Sequence, residues 1–108
     1  MKTSSDNPLL AEVIRHTVET VRPLRIILFG SAARGDMDAN SDLDLLIVMP
    51  DGTNRRHTAR RVYRALAGLG MPKDIIVVTE EDVRRYGDDP GLVICPALNE
   101  GKDLYCAP

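Results

Sequence analysis

Gly30 and Ser31, followed after ten intervening residues by Asp42-Leu43-Asp44, join a turn that can cradle phosphate to carboxylates that can hold a hard cation. Gly30 lets backbone come close to a ligand, and Ser31 offers an N–H and a hydroxyl where a short helix would begin. Residues two apart in a strand point to the same face, so Asp42 and Asp44 converge if their segment is extended. Two converging carboxylates repel each other unless a cation lies between them. Oxygen ligands of this kind suit Mg²⁺, which takes one or two carboxylates together with water and substrate phosphates. A phosphate cradle next to a metal site points to nucleotide chemistry.

The flanking residues supply the elements that must position this chemistry. Arg25-Ile26-Ile27-Leu28-Phe29 is an apolar, β-type run leading into the Gly-Ser turn, and Asp42-Leu43-Asp44-Leu45-Leu46-Ile47-Val48 reads as a second strand. Upstream, Leu10, Val13, Ile14, Thr17, Val18 and Val21 recur at helical spacing, with Asn7-Pro8 as a start signal and Pro23 as a stop. A short helix is expected through about Arg34, then a polar loop to Ser41. Pro50-Asp51-Gly52 marks a turn. Ala59, Val62, Tyr63, Leu66 and Leu69 form the apolar stripe of a second long helix, stopped by Gly70 and Pro72. Lys73 to Val78 reads as a third strand, and Thr79 before Glu80, Glu81 and Asp82 as the cap of a short helix. A break at Gly87–Gly91 precedes a helical stretch from Leu92 to Asn99, and Asp103-Leu104-Tyr105 suits a short edge strand. The expected fold class is α/β, a small mixed β-sheet with helices packed on one face. With no linker or repeat, residues 1–108 read as a single domain, with 1–6 frayed.

Composition narrows the function classes. The net charge of −2 argues against a nonspecific nucleic-acid binder, and direct nucleic-acid binding is not expected. Cys95 and Cys106 make neither a disulfide framework nor a metal site. With no leader and no membrane-length apolar run, the expected location is cytoplasmic. Charge is nevertheless uneven. Arg34 to Asp44 holds four Asp against one Arg, whereas Arg55 to Arg64 holds five Arg and no acid. Arg56, Arg60 and Arg64 fall at i, i+4, i+8 and line one helix face, which reads either as a solvated face or as a docking strip for an acidic partner or for RNA that the partner binds.

The string Leu28-Phe29-Gly30-Ser31-Ala32-Ala33-Arg34-Gly35, with Ser41-Asp42-Leu43-Asp44-Leu45, resembles the signature of the DNA polymerase beta-like nucleotidyltransferase superfamily. Within it, the chain resembles over nearly its whole length the minimal nucleotidyltransferases (MNT) of HEPN/MNT toxin–antitoxin pairs, including the ending Ala97 to Tyr105. The resemblance implies a nucleotidyltransferase fold. It makes Asp42, Asp44 and Asp74 the metal-binding catalytic acids, with Gly30, Ser31 and Arg34 as nucleotide-binding residues. By residue type alone, Asp74 reads equally as a solvated strand-start carboxylate, and Arg34 equally as a surface arginine. The mechanism implied is two-metal transfer with two Mg²⁺ ions and ATP as substrate, Asp74 helping to activate the attacking hydroxyl.

Other members of the superfamily carry extra domains that hold the acceptor, and 108 residues leave no room for one. The expected acceptor is therefore a docked protein, which the resemblance makes a tyrosine of a HEPN-type ribonuclease toxin. Two other readings remain open: an antitoxin that neutralises its partner by binding without catalysis, and a transferase acting on a small molecule or RNA. Asp36 and Asp38 read as solvated loop acids, and His16 and His57 as structural or exposed.

Overall fold

A computed structural model describes residues 8–30, 43–70, 72–86 and 94–108, with 94–96 described by backbone only. Helix α1 (Pro8–Val21) leads into strand β1 (Arg25–Phe29). After α1 the chain reverses through Arg22, whose φ of 52° is a left-handed conformation, and its N–H closes the helix on the Val18 carbonyl at 3.1 Å. Strand β2 (Leu43–Met49) is followed by helix α2 (Arg55–Leu66), strand β3 (Lys73–Thr79) and helices α3 (Glu80–Tyr86) and α4 (Ile94–Glu100). Strand β4 (Lys102–Cys106) completes a four-stranded sheet of order β3-β2-β1-β4. The β1–β2 and β1–β4 pairs are antiparallel and β2–β3 is parallel, with α2 as the crossover that a parallel connection requires. The mixed α/β sheet expected from the sequence is the observed one.

Local signals explain where the elements begin and end. The Asn54 side chain caps α2 by accepting from the His57 N–H at 2.9 Å. Beyond α2, a single 3₁₀ turn (Ala67–Leu69) ends at Gly70, whose φ is 71°. At the head of α3, Thr79 Oγ1 accepts from the Asp82 N–H and Asp82 Oδ2 accepts from the Thr79 N–H, at 3.2 and 3.0 Å. That reciprocal pair is a capping box, satisfying two otherwise orphaned donors.

The two long helices share one face of the sheet, where Val13 and Ile14 of α1 and Val62 and Leu66 of α2 pack on Ile26, Leu28, Leu45 and Ile47. Opposite them, Val83 of α3 with Ala97 and Leu98 of α4 cover Ile27, Leu46, Val48 and Val78. Helical cover thus extends to both faces, whereas the sequence reading placed it on one. The central strands are apolar on both sides, and such strands must be covered on both. Tyr63, counted in the α2 core stripe on spacing, is 39% exposed. It lies where α2 overhangs the outer edge of β3, and its hydroxyl accepts from the Ile75 N–H at 3.0 Å.

Candidate functional site

Three of the proposed site residues, Gly30, Asp44 and Asp74, lie at one end of the sheet. Gly30 follows the last residue of β1, Asp44 is the second residue of β2, and Asp74 is the second residue of β3. The register carries the juxtaposition. Asp44 pairs with Phe29 on one side and with Asp74 on the other. Along β2, Leu43, Leu45 and Ile47 belong to the core beneath α1 and α2, while Leu46 and Val48 belong to the opposite core. Strand alternation therefore puts Asp44 on the α3–α4 face, and the same alternation puts Asp74 there, one strand over. Adjacent strands lie about 4.8 Å apart, so the two residues are immediate neighbours on one face. Asp44 is half-buried and Asp74 exposed.

Gly30 completes the arrangement from above. Its φ of 73° is a left-handed conformation that glycine adopts without strain. A Cβ built there would fall onto Asp44 Oδ2 and stand 3.2 Å from Asp44 Cγ. The missing side chain is thus what makes room for the Asp44 carboxylate beneath the turn. Like charges on neighbouring strands destabilise a sheet unless a cation offsets them. Two hard oxygen donors under a backbone turn without a side chain fit a divalent cation with phosphate as co-ligand. Ser31, Arg34 and Asp42 lie outside the described residues.

Tyr63 is the residue near the site that the sequence reading missed. By strand alternation the Ile75 N–H points away from β2, toward the open edge of β3, and Tyr63 closes it directly beside Asp74. An aromatic residue on a helix stripe carries no local sign of such a role. The two histidines sit away from the site. His16 Nε2 is 3.2 Å from Glu12 Oε2 on α1, and His57 is exposed in the first turn of α2. A hollow of about 430 Å³ opens at the opposite end of the sheet, lined by Leu24, Arg25, Val48, Arg84 and Cys106 among others. Its arginines are already engaged, Arg25 with Asp103 at 2.7 Å and Arg84 with Asp51 at 3.0 Å. It is therefore poorly suited to phosphate and lies far from the paired acids.

Comparison with solved structures places this arrangement among known folds. A toxin–antitoxin crystal structure with AMP-PNP superposes with a TM-score of 0.63 at 21% identity, covering 91% of this chain and 73% of that one. A mutant of the toxin–antitoxin MntA–HpeT gives the same TM-score and coverage at 18% identity. A protein from Sulfolobus solfataricus assigned as a nucleotidyltransferase gives 0.59 at 23% identity, covering 90% of this chain and 78% of that one. At these identities the likeness establishes the fold. Comparison with curated proteins yields no significant match. The family described as nucleotidyltransferase domain matches residues 10–102, a span that includes the Gly30 turn, Asp44 and Asp74. This chain belongs to the nucleotidyltransferase domain family.

Proposed function

We propose that this chain is an antitoxin that transfers AMP from ATP to a tyrosine hydroxyl of a HEPN-type ribonuclease toxin and thereby silences it. The observation that carries the reading is the pairing of Asp44 with Asp74 beneath a turn at Gly30 that has no room for a side chain. Support for the nucleotide and for the class of partner comes from two of the similar folds, which are toxin–antitoxin proteins, one of them solved with AMP-PNP.

The residues present fit Mg²⁺, and Asp42, Asp44 and Asp74 would hold two ions. Bound there, the metal would offset triphosphate charge and lower the pKa of the acceptor hydroxyl. The chain's own groups do the rest. The backbone at Gly30 approaches the phosphates, Ser31 donates to a phosphate oxygen, and Arg34 clamps the triphosphate with its planar guanidinium. Asp74 takes the proton of the tyrosine hydroxyl as its oxygen bonds to the α-phosphorus. The bond from that phosphorus to the bridging oxygen breaks, and pyrophosphate leaves. Because Asp74 is exposed at the sheet edge, it can be reached by an acceptor carried on another protein.

Intact-mass spectrometry tests the reading. The protein encoded beside this chain is incubated with it, Mg²⁺ and each nucleoside triphosphate in turn. The expected result is a gain of one or more AMP units with ATP, abolished by Asp44→Asn and by Asp74→Asn, both of which keep the complex intact. Complex formation without a mass gain would overturn the transferase in favour of neutralisation by binding alone.

A further inference from the structure

Helix α2 carries five arginines and no acid in twelve residues, in a chain whose net charge is −2. Two of the five are engaged. Arg55 pairs with Asp82 at 3.1 Å, and Arg61 donates to the Thr20 carbonyl at 2.6 Å. Arg56, Arg60 and Arg64 are exposed and meet no carboxylate among the described residues. They stand at i, i+4, i+8, so each repels the next along one face. An ordinary solvated face looks different, as α1 demonstrates: there Arg15 lies between Glu12 at 2.6 Å and Glu19 at 3.4 Å. Uncompensated repulsion along a helix face is relieved by a partner that brings the opposite charge.

Two further features mark this face. Tyr63 adjoins the arginines, 39% exposed, with its hydroxyl fixed to the Ile75 N–H. A half-exposed tyrosine already held in one orientation, flanked by arginines, has the composition of a binding hot spot. Its position matters as well. The bond to Ile75 brings the Arg64 end of the strip to the residue next to Asp74. The Arg56 end borders a groove of about 620 Å³ lined by Asn54, Arg55, Arg56, Ala59 and Val77. The basic strip therefore runs along the outer edge of β3, on the α1–α2 face of the sheet, across the edge strand from the side to which Asp44 and Asp74 alternate.

We propose that Arg56, Arg60, Arg64 and Tyr63 form the docking surface for the protein acceptor, which presents a row of carboxylates to them. Helical rise spaces the three arginines by about 6 Å per step, roughly 12 Å in all, which an acidic helix matches with carboxylates four residues apart. The chain's net charge of −2 favours a protein over RNA, because a domain that binds a polyphosphate backbone is usually clearly basic overall. This inference rests on the proposed function in taking the acceptor to be a protein.

The experiment uses the protein encoded beside this chain as the probe. The triple variant Arg56→Glu/Arg60→Glu/Arg64→Glu is compared with the wild type for the dissociation constant of the complex at 50, 150 and 500 mM NaCl. Acceptor KM and AMP-PNP affinity are measured alongside. Docking through this strip raises the dissociation constant and acceptor KM tenfold or more at 50 mM NaCl and flattens the salt dependence. AMP-PNP affinity stays within twofold. An unchanged dissociation constant with an unchanged salt slope overturns the proposal, as does the absence of any wild-type complex. Loss of single-stranded RNA binding with unaltered partner binding also overturns it and assigns the strip to nucleic acid. The proposed function fails separately: a wild-type complex that transfers nothing leaves the strip to be judged on its dissociation constant alone. Should the triple Glu variant not fold, Arg56→Gln/Arg60→Gln/Arg64→Gln removes the charge without reversing it and is expected to weaken the complex in the same direction.

Discussion

Replacing Gly30 with Ala separates the role of this glycine in folding from its role at the site. Two costs arise at once. An L-residue at φ 73° is strained by about 1–2 kcal/mol. The new Cβ also falls onto the Asp44 carboxylate, which must rotate away at about 0.5–1.5 kcal/mol for an off-rotamer side chain. The sum is about 1.5–3.5 kcal/mol of stability. For a domain of this size each kcal/mol lowers the melting temperature by roughly 4–8 °C. Displacing a reacting group by about 1 Å costs on the order of 10²-fold in rate, equivalent to about 2.7 kcal/mol of barrier. Gly52 supplies the control: its φ is 88°, and a Cβ there meets nothing within 4 Å. Gly52→Ala should therefore carry the backbone strain alone. Circular-dichroism melts and nucleotidyl-transfer kinetics on both variants separate the two effects. Gly30→Ala is expected to melt below Gly52→Ala and to lose about 10²-fold in kcat/KM, while Gly52→Ala keeps wild-type kinetics. Transfer by Gly30→Ala within threefold of Gly52→Ala would refute the idea that this glycine exists to make room for Asp44.

The capping box of α3 gives a pH prediction. The hydrogen bond from the Thr79 N–H, more than the nearby Arg55 guanidinium, holds the Asp82 carboxyl below its ordinary value of 3.8, against the opposing effect of partial burial. A depressed folded-state pKa contributes stability that is present above the unfolded value and lost as pH falls through the folded one. Asp82→Ala should thus cost about 1 kcal/mol above pH 5, with the difference from wild type shrinking below about pH 3.8 in urea titrations. A difference that persists unchanged at low pH would show that the carboxylate charge is irrelevant to the cap. Thr17 is fully buried in α1, and its hydroxyl has no hydrogen-bond partner among the described residues. Thr17→Val keeps the shape and removes the orphan, so the urea midpoint should rise by an amount worth about 1 kcal/mol at constant m. A lower midpoint would mean that the hydroxyl is satisfied after all.

Part of the candidate site is legible in the sequence because its chemistry is local. A glycine after an apolar run reads as a turn, and the alternation of charged and apolar residues after Ser41 reads as a strand with its acids on one face. The Thr79 cap is read from a threonine ahead of three acids, and the structure forms it and adds the reciprocal bond from Asp82; the Asn54 cap is a finding of the structure alone. Other features could not be read in this way. Asp74 sits 30 residues beyond Asp44 in sequence, and only the parallel register of β2 with β3 makes them neighbours. By residue type alone Asp74 reads equally as a solvated carboxylate and as a site residue. Tyr63 was read as core because helical spacing reports which stripe a residue lies on, not where the helix overhangs the sheet.

The sequence alone determined the α/β class, the turn at Gly30, the Thr79 cap of α3 and the family, because each is carried by residue types in short stretches of chain. Tertiary structure decided what those pieces face. It set Asp44 beside Asp74 and beneath Gly30, brought Tyr63 onto the backbone next to Asp74, and laid the α2 arginines along the same sheet edge. It also placed α3 and α4 on the face opposite the long helices. Strand order and register arise from how apolar faces are buried over the whole chain, and no local spacing encodes which carboxylates that burial will bring together.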